Sequence, residues 1–261
     1  MSRPMTRLLA LAAVLLAATA ARADGLADLR AALARLPAQT PLKATLDVKT
    51  LDRRGDGAEG FEKAGQASVN VEDGARGLQV VVTKDTLARM ESESRQQAGD
   101  AKAKTPTVWG LARLDSNEVL PMASAAAAVS RSLDESTFRS EKADTWGGRP
   151  ARLLTFAIPV TKVPEQQRKY VKAFDGTLSI WIGADGTPLA SETHAVVKGR
   201  AFLVVSFEAV DDTSSTYGVV GDRLLTLRSE HRMASSGAGE HGEQRSVKTL
   251  QPQGEALTAR P

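Results

Sequence analysis

Histidines are the side chains of this chain that could most directly carry acid–base or metal chemistry. The chain has three of them and no cysteine, at His194, His231 and His241, each with a glutamate nearby in sequence. None stands in an H-x-x-x-H or H-E-x-x-H pattern, which brings two imidazoles to one zinc ion. We expect surface or hairpin histidines, no bound metal and no cofactor. The alternative is that His231 and His241, on opposite sides of one hairpin, meet in space.

Patterns that position a nucleophile or cradle a phosphate are missing from the sequence. There is no G-x-S-x-G, and the glycines of 237–242 lack the Lys-Ser/Thr of a phosphate-binding loop. Neighbouring carboxylates, such as Asp211 with Asp212, are typical of a solvated charged face. We predict that the protein is not an enzyme. The enzyme alternative would gain support if His194, His231 and an acidic residue converged in a cleft.

The later strands carry more apolar residues than one buried face requires. Phe174 to Val210 predicts three strands, separated by turn signals at Ala184–Pro188 and Lys198–Arg200. In this stretch and in Arg152–Ile158, apolar residues fall on both faces, whereas Leu42–Val48 alternates strictly with polar residues. A strand that is apolar on both faces must be covered twice, by helices, another sheet or a ligand.

A ligand cavity between sheet and helices would supply one of those covers. The residues predicted to line it are Trp109, Met122, Phe156, Trp181, Leu203, Val205 and Phe207. The other interpretation is a core with a helical cover and nothing bound.

The periodicity of the earlier chain changes twice. Helical spacing over Leu26–Leu36 is followed by three alternating strands within 42–83. A helical insertion of about 85–133 comes next. Within it we predict a polar surface helix over 86–98 anchored by Leu87 and Met90, a short helix capped by Thr105, and a helix over 117–133 with Pro121 in its first turn.

Strands resume after the insertion and make about ten in all. They continue to residue 251, and the remaining segment, 252–261, has no pattern and is predicted to be a disordered tail. No interdomain linker or internal repeat interrupts 24–251. We therefore expect a single domain of the α+β class.

The N-terminus has the three parts of a secretory signal peptide. Arg3 and Arg7 precede an apolar run, Leu8–Ala20, and Ala21–Ala23 offers a small-x-small cleavage site. The run is shorter than the roughly 20 residues that cross a bilayer. We predict cleavage after Ala23, a periplasmic protein and no permanent membrane span. Without cysteine the chain has neither a disulfide nor a lipid-accepting thiol.

Charge balance argues against a nucleic-acid partner. The chain has 34 Lys+Arg against 31 Asp+Glu, and Arg3, Arg7 and Arg22 lie within the predicted signal peptide. The chain after cleavage is therefore nearly neutral. Neutralising nucleic-acid phosphates requires a surplus of cations, so we expect no nucleic-acid binding.

The order of elements, with the segment Leu178–Leu189 (LSIWIGADGTPL), resembles the periplasmic lipoprotein-carrier superfamily of LolA, LolB and the RseB N-terminal domain. The resemblance implies one strongly curved antiparallel sheet, an incomplete β-barrel, with helices on its concave side. It also implies a LolA-like domain over 24–251 that binds a lipid, a lipoprotein acyl chain or another apolar ligand. The alternative is a non-enzymatic module, with a filled core, that binds another envelope protein or acts as an envelope sensor.

Overall fold

A computed structural model describes residues 24–55, 60–201, 205–237 and 239–254. The predicted signal peptide, 1–23, lies outside the described residues, as does 255–261 of the predicted tail.

A single antiparallel sheet forms the body of the protein. Its ten strands are β1 (Leu42–Arg54), β2 (Phe61–Gly74), β3 (Gly77–Val82), β4 (Thr137–Trp146), β5 (Arg149–Ala157), β6 (Val171–Ile182), β7 (Pro188–Ala201), β8 (Val205–Val220), β9 (Arg223–Gly237) and β10 (Glu240–Pro252). They are ordered β3-β2-β1-β10-β9-β8-β7-β6-β5-β4. The first and last strands of the chain, β1 and β10, pair with each other and are the third and fourth strands in this order. Among the described residues β3 and β4 are unpaired edges, so the sheet is not closed into a barrel.

Six α-helices accompany the sheet in the described part of the chain. They are α1 (Gly25–Ala34), α2 (Lys84–Gly99), α3 (Pro106–Leu111), α4 (Ser116–Ala123), α5 (Ala125–Asp134) and α6 (Glu165–Arg168). A single 3₁₀ turn, Val160–Lys162, precedes α6. None of the helices in these ranges is long and apolar enough to span a membrane.

The packing of α5 shows that the sheet is curved. This helix contacts both β9 and β4, which are five places apart in the strand order. Five strand spacings amount to about 24 Å in a flat sheet, whereas this ten-residue helix is only about 15 Å long. The sheet therefore bends around α5. These features confirm the predicted α+β class, with one open antiparallel sheet and helices on its concave side.

Apolar side chains between sheet and helices form two separate cores. The first joins α1 and α5 to β5 and β6, and its most deeply buried members include Leu29, Leu154, Phe156, Ile180 and Ile182. The second joins α4 to β1, β2 and β10, and includes Leu46, Val48, Val69, Val71 and Val119. Each core lies toward one side of the sheet. Leu224 and Leu225 of β9 belong to the first and the second core, respectively, whereas the middle of β7 to β9 carries different side chains on its inner face.

The predicted helix over 117–133 is wrong as a single element. It is divided into α4 and α5 at Ser124, and Pro121 is the sixth residue of α4 rather than part of its first turn. Proline has no N–H for the helical ladder, so the helix ends within two residues of it. The carbonyl of Pro121 accepts a hydrogen bond of 3.2 Å from the Thr226 hydroxyl.

The predicted turn at Lys198–Arg200 is also wrong. These residues lie inside β7, where Gly199 pairs with Phe207 of β8. A Cβ on Gly199 would overlap the Phe207 ring, so the glycine makes room for an aromatic side chain on the neighbouring strand. Beyond this point β8 continues unbroken to Val220.

The first two helices of the insertion, α2 and α3, each differ from the sequence prediction in one respect. Leu87 does not anchor α2, because it is 46% exposed, and the buried residue of this helix is Thr86. Thr105 makes no side-chain cap at the start of α3. The Glu93 carboxylate caps it instead, accepting hydrogen bonds of 2.9 and 3.1 Å from the backbone N–H groups of Thr107 and Val108. Carboxylate capping from another helix has no local sequence signal.

Asp222, in the turn between β8 and β9, makes the stability of the fold depend on pH. Hydrogen bonds from Thr40, by side chain and backbone, and from the Gln39 backbone lower its pKa from 3.8 to about 2. A carboxyl whose pKa is lower in the folded state stabilises folding above its unfolded pKa, and this contribution disappears as the pH falls toward 2. We expect Asp222→Asn to be less stable than the parent at neutral pH, in urea unfolding, and to match it near pH 2. A deficit that stays constant across this range would contradict the assignment.

Candidate functional site

Hydroxyl groups line the inner face of the middle strands. The strand register places polar side chains of β7, β8 and β9 in two adjacent rows, Ser191, Ser215 and Ser229 in one and Thr193, Thr213 and His231 in the other. Directly opposite residues in a sheet share a face. Three strands thus present one polar surface toward the helices.

This polar surface lies between the two apolar cores. The row that contains Ser191 continues to Ile180 of β6 on one side, and to Lys248 and then Val48 on the other. Burying hydroxyls costs free energy unless they find hydrogen-bond partners. The hydroxyls of these two rows are half-buried, so this surface is open to water or to a ligand.

A cleft of about 400 Å³ separates the polar surface from α4 and α5. Its helical wall is apolar at five of its eight residues, and consists of Asn117, Glu118, Pro121, Met122, Ala125, Ala128, Val129 and Ser132. Its sheet wall includes Tyr217, whose hydroxyl lies 2.7 Å from the Ser191 hydroxyl, and burial raises the pKa of that phenol. The space between sheet and helices is therefore packed at its ends and open in its middle.

Two ion pairs mark one end of the cleft. The Lys248 ammonium donates to the Glu118 carboxylate of α4, and His231 Nε2 lies 3.1 Å from Asp211 Oδ2. The hydrogen bond with Asp211 raises the pKa of His231. His231, Lys248 and Glu118 all line the cleft, so this end carries charges of both signs together with hydrogen-bond donors.

A smaller chamber of about 130 Å³ continues from this end beneath α3. It shares Glu118, His231 and Lys248 with the cleft. Its other walls include Thr50 of β1 and Trp109 of α3. We call these two spaces the cleft and the chamber.

The predicted lining residues do not form one cluster. Met122 lines the cleft and Trp109 lines the chamber. Phe156 is 1% exposed within the first apolar core. Val205 is half-buried at the start of β8, and Leu203 lies outside the described residues.

The remaining two predicted aromatic residues lie away from the cleft. Trp181 alternates with the core residue Ile180, so its side chain is on the other face of the sheet. There its ring centroid is 4.9 Å from that of Trp146, and its Nε1 donates to Asp144 at 3.1 Å. The Phe207 ring lies over Gly199, where the end of β7 pairs with the start of β8.

The histidines do not assemble one site. His194 Nδ1 lies 2.6 Å from Asp212 Oδ1, while His231 pairs with Asp211. Because Asp211 and Asp212 are successive strand residues, the two pairs point to opposite faces. Among the residues that the structure describes, no group of three His, Cys, Asp or Glu side chains could hold a metal ion.

Comparison with known proteins returns no family model, no curated protein and no solved structure that matches this chain.

Proposed function

We propose that this protein is a non-enzymatic periplasmic binding protein that holds an amphipathic ligand, such as a lipid or a lipoprotein acyl chain, in the cleft. The observation that carries the proposal is an open space with one apolar wall and one hydroxylated wall. A filled core would have supported the alternative of an interaction or sensor module. Its periplasmic location follows from the predicted signal peptide.

The two walls fit the two parts of an amphipathic molecule. Pro121 and Ala128, both half-buried, offer a hydrocarbon chain an apolar surface, and the core residues Met122, Ala125 and Val129 pack beside them with at most 6% exposure. Each methylene that a ligand buries stabilises the complex by about 0.8 kcal/mol. Ser191, Thr193 and the other strand hydroxyls can hydrogen-bond oxygen atoms of the ligand. A cleft of about 400 Å³ lies within the range of small-molecule sites, about 300–1,000 Å³.

Filling the cleft tests the proposal. Ala128 of α5 is half-buried and lines the cleft, so Ala128→Phe should occupy space that the ligand needs. Displacing about four methylenes costs about 3 kcal/mol, or about a hundredfold in Kd. The measurement is calorimetric titration with dodecanoate.

Ala127 provides the matched control, because it is the preceding helical residue and is exposed. Ala127→Phe should bind dodecanoate like the parent. Equal affinity of both variants and the parent would mean that the ligand binds elsewhere, and would overturn the proposal. If Ala127→Phe also lost binding, the lower affinity of Ala128→Phe would result from a disturbed helix rather than from a filled cleft.

A further inference from the structure

The chamber contains two buried polar atoms that no described residue satisfies. Thr50 Oγ1 and Trp109 Nε1 are inaccessible to solvent and have no hydrogen-bond partner among the described residues. Buried polar atoms in native proteins almost always have a partner, from the protein, from water or from a ligand. Thr50 and Trp109 both line the chamber, so a guest whose entry shifts this wall slightly would supply the partner.

The packing around Gly65 holds these two atoms side by side. A Cβ at Gly65 would lie 2.6 Å from Thr50 Oγ1 and 2.8 Å from Trp109 Cδ1, the ring carbon next to Nε1. The indole is further fixed by Lys63 Nζ and Arg113 Cζ, 4.8 and 4.7 Å from its ring centroid. Two cations against one ring leave the indole little freedom to turn its N–H toward solvent.

Cations outnumber carboxylates on the chamber wall. Among the described residues the wall has three cations and two carboxylates, which are Arg113, Arg245, Lys248, Asp52 and Glu118. Trp109 Nε1 is a donor only, an ammonium has three N–H groups and a guanidinium has five. In the described part of the chain, the Lys248 ammonium bonds Glu118 alone and the Arg113 guanidinium bonds Asp52 alone. The unused donors favour a guest that supplies several acceptor oxygens, and carboxylate and phosphate bind such donors most strongly.

We propose that the chamber binds the anionic headgroup, a carboxylate or a phosphate, of a single-chain amphiphile whose hydrocarbon chain lies in the cleft. Continuity of the two spaces at Glu118, His231 and Lys248 lets one molecule occupy both. This inference rests on the proposed function and deepens it, because it assigns the ligand its headgroup and its orientation.

The test compares three ligands that share one chain: dodecanoate, dodecyl phosphate and dodecanol. The parent protein should bind at least one of the two anionic ligands about tenfold more tightly than dodecanol. The anionic ligand that binds more tightly shows whether the chamber prefers a carboxylate or a phosphate headgroup. Binding is followed by the fluorescence of Trp109 in a Trp146→Phe, Trp181→Phe background, which removes the two tryptophans of the outer face.

Two variants remove the chamber's donors without filling the space. Thr50→Val keeps the side-chain shape, and Lys248→Met removes a charge whose partner, Glu118, is half-exposed and stays solvated. Each should weaken the preferred anionic ligand about tenfold and lower the ratio of its affinity to that of dodecanol. Lys248→Arg, which keeps the charge, should retain the preference.

The outcomes separate this inference from the proposed function. If dodecanol binds as tightly as both anions, or if Thr50→Val and Lys248→Met leave the preference intact, the headgroup assignment is wrong while binding in the cleft stands. If none of the three ligands binds the parent, both proposals fail. If the preference falls only in the chamber variants, the assignment is supported.

Discussion

Replacing Phe156 with alanine is expected to lower the free energy of unfolding by about 3–5 kcal/mol. The side chain is 1% exposed in the first core, and its ring meets that of Phe138 edge-on, with centroids 5.5 Å apart. Removing it would leave a cavity beneath α5 that the surrounding sheet cannot close. Urea unfolding followed by circular dichroism measures the loss.

Phe138 is the control for this prediction, because it belongs to the same aromatic pair but is 40% exposed. Phe138→Ala should cost much less than Phe156→Ala. The conservative change Phe156→Leu should keep most of the stability and the parent's affinity for dodecanoate. A Phe156→Leu protein of parental stability that no longer binds ligand would make Phe156 a ligand contact, as the sequence predicted.

Replacing Arg223 with methionine is expected to cost a similar amount, about 3–5 kcal/mol. The Arg223 side chain is 3% exposed, at the start of β9. Its Nη1 donates to Asp73 Oδ2 at 2.8 Å and to the carbonyl of Ala123 at 3.2 Å, and its Nε donates to the Thr40 carbonyl. The residue thus ties together β2, the end of α4 and the segment before β1, and its loss leaves the Asp73 carboxylate unpaired.

A double-mutant cycle separates this ion pair from the loss of packing. Asp73→Asn removes the charge that Arg223→Met would otherwise leave partly buried. The double variant should therefore be more stable than the sum of the two single changes predicts, by about 0.5–3 kcal/mol. Strictly additive losses would show that the arginine acts through its carbonyl contacts and its packing alone.

The sheet and its helical insertion could be predicted from periodicity because each strand and helix carries its own signal. Leu42–Val48 alternates in the sequence, and its apolar residues are buried in the structure. The break at Ser124 and the cap by Glu93 could not be predicted, because both depend on contacts between elements. Length and pattern identify an element, while its partners fix where it ends.

The candidate site was predicted less well, because apolar residues alone do not tell core from cavity. Phe156 and Trp181 both satisfied the apolar pattern, yet one is core and the other lies on the outer face. The sequence feature that indicates the cleft is a set of small hydroxylated residues at alternate positions, such as Ser191 with Thr193 and Thr213 with Ser215. Only the strand register shows that these pairs lie opposite one another and share a face.

The central claim, that a ligand occupies the cleft, can be tested through the methionine methyl groups. After the predicted cleavage the chain keeps Met90, Met122 and Met233, of which Met122 lines the cleft, while Met90 lies on α2 and Met233 on β9 is 38% exposed. With isotopically labelled methionine methyl groups, and Met122→Leu to assign the signal, titration with dodecanoate should shift the Met122 resonance saturably and leave that of Met90 unchanged. A Met122 resonance that stays in place while dodecanoate binding saturates would contradict the account.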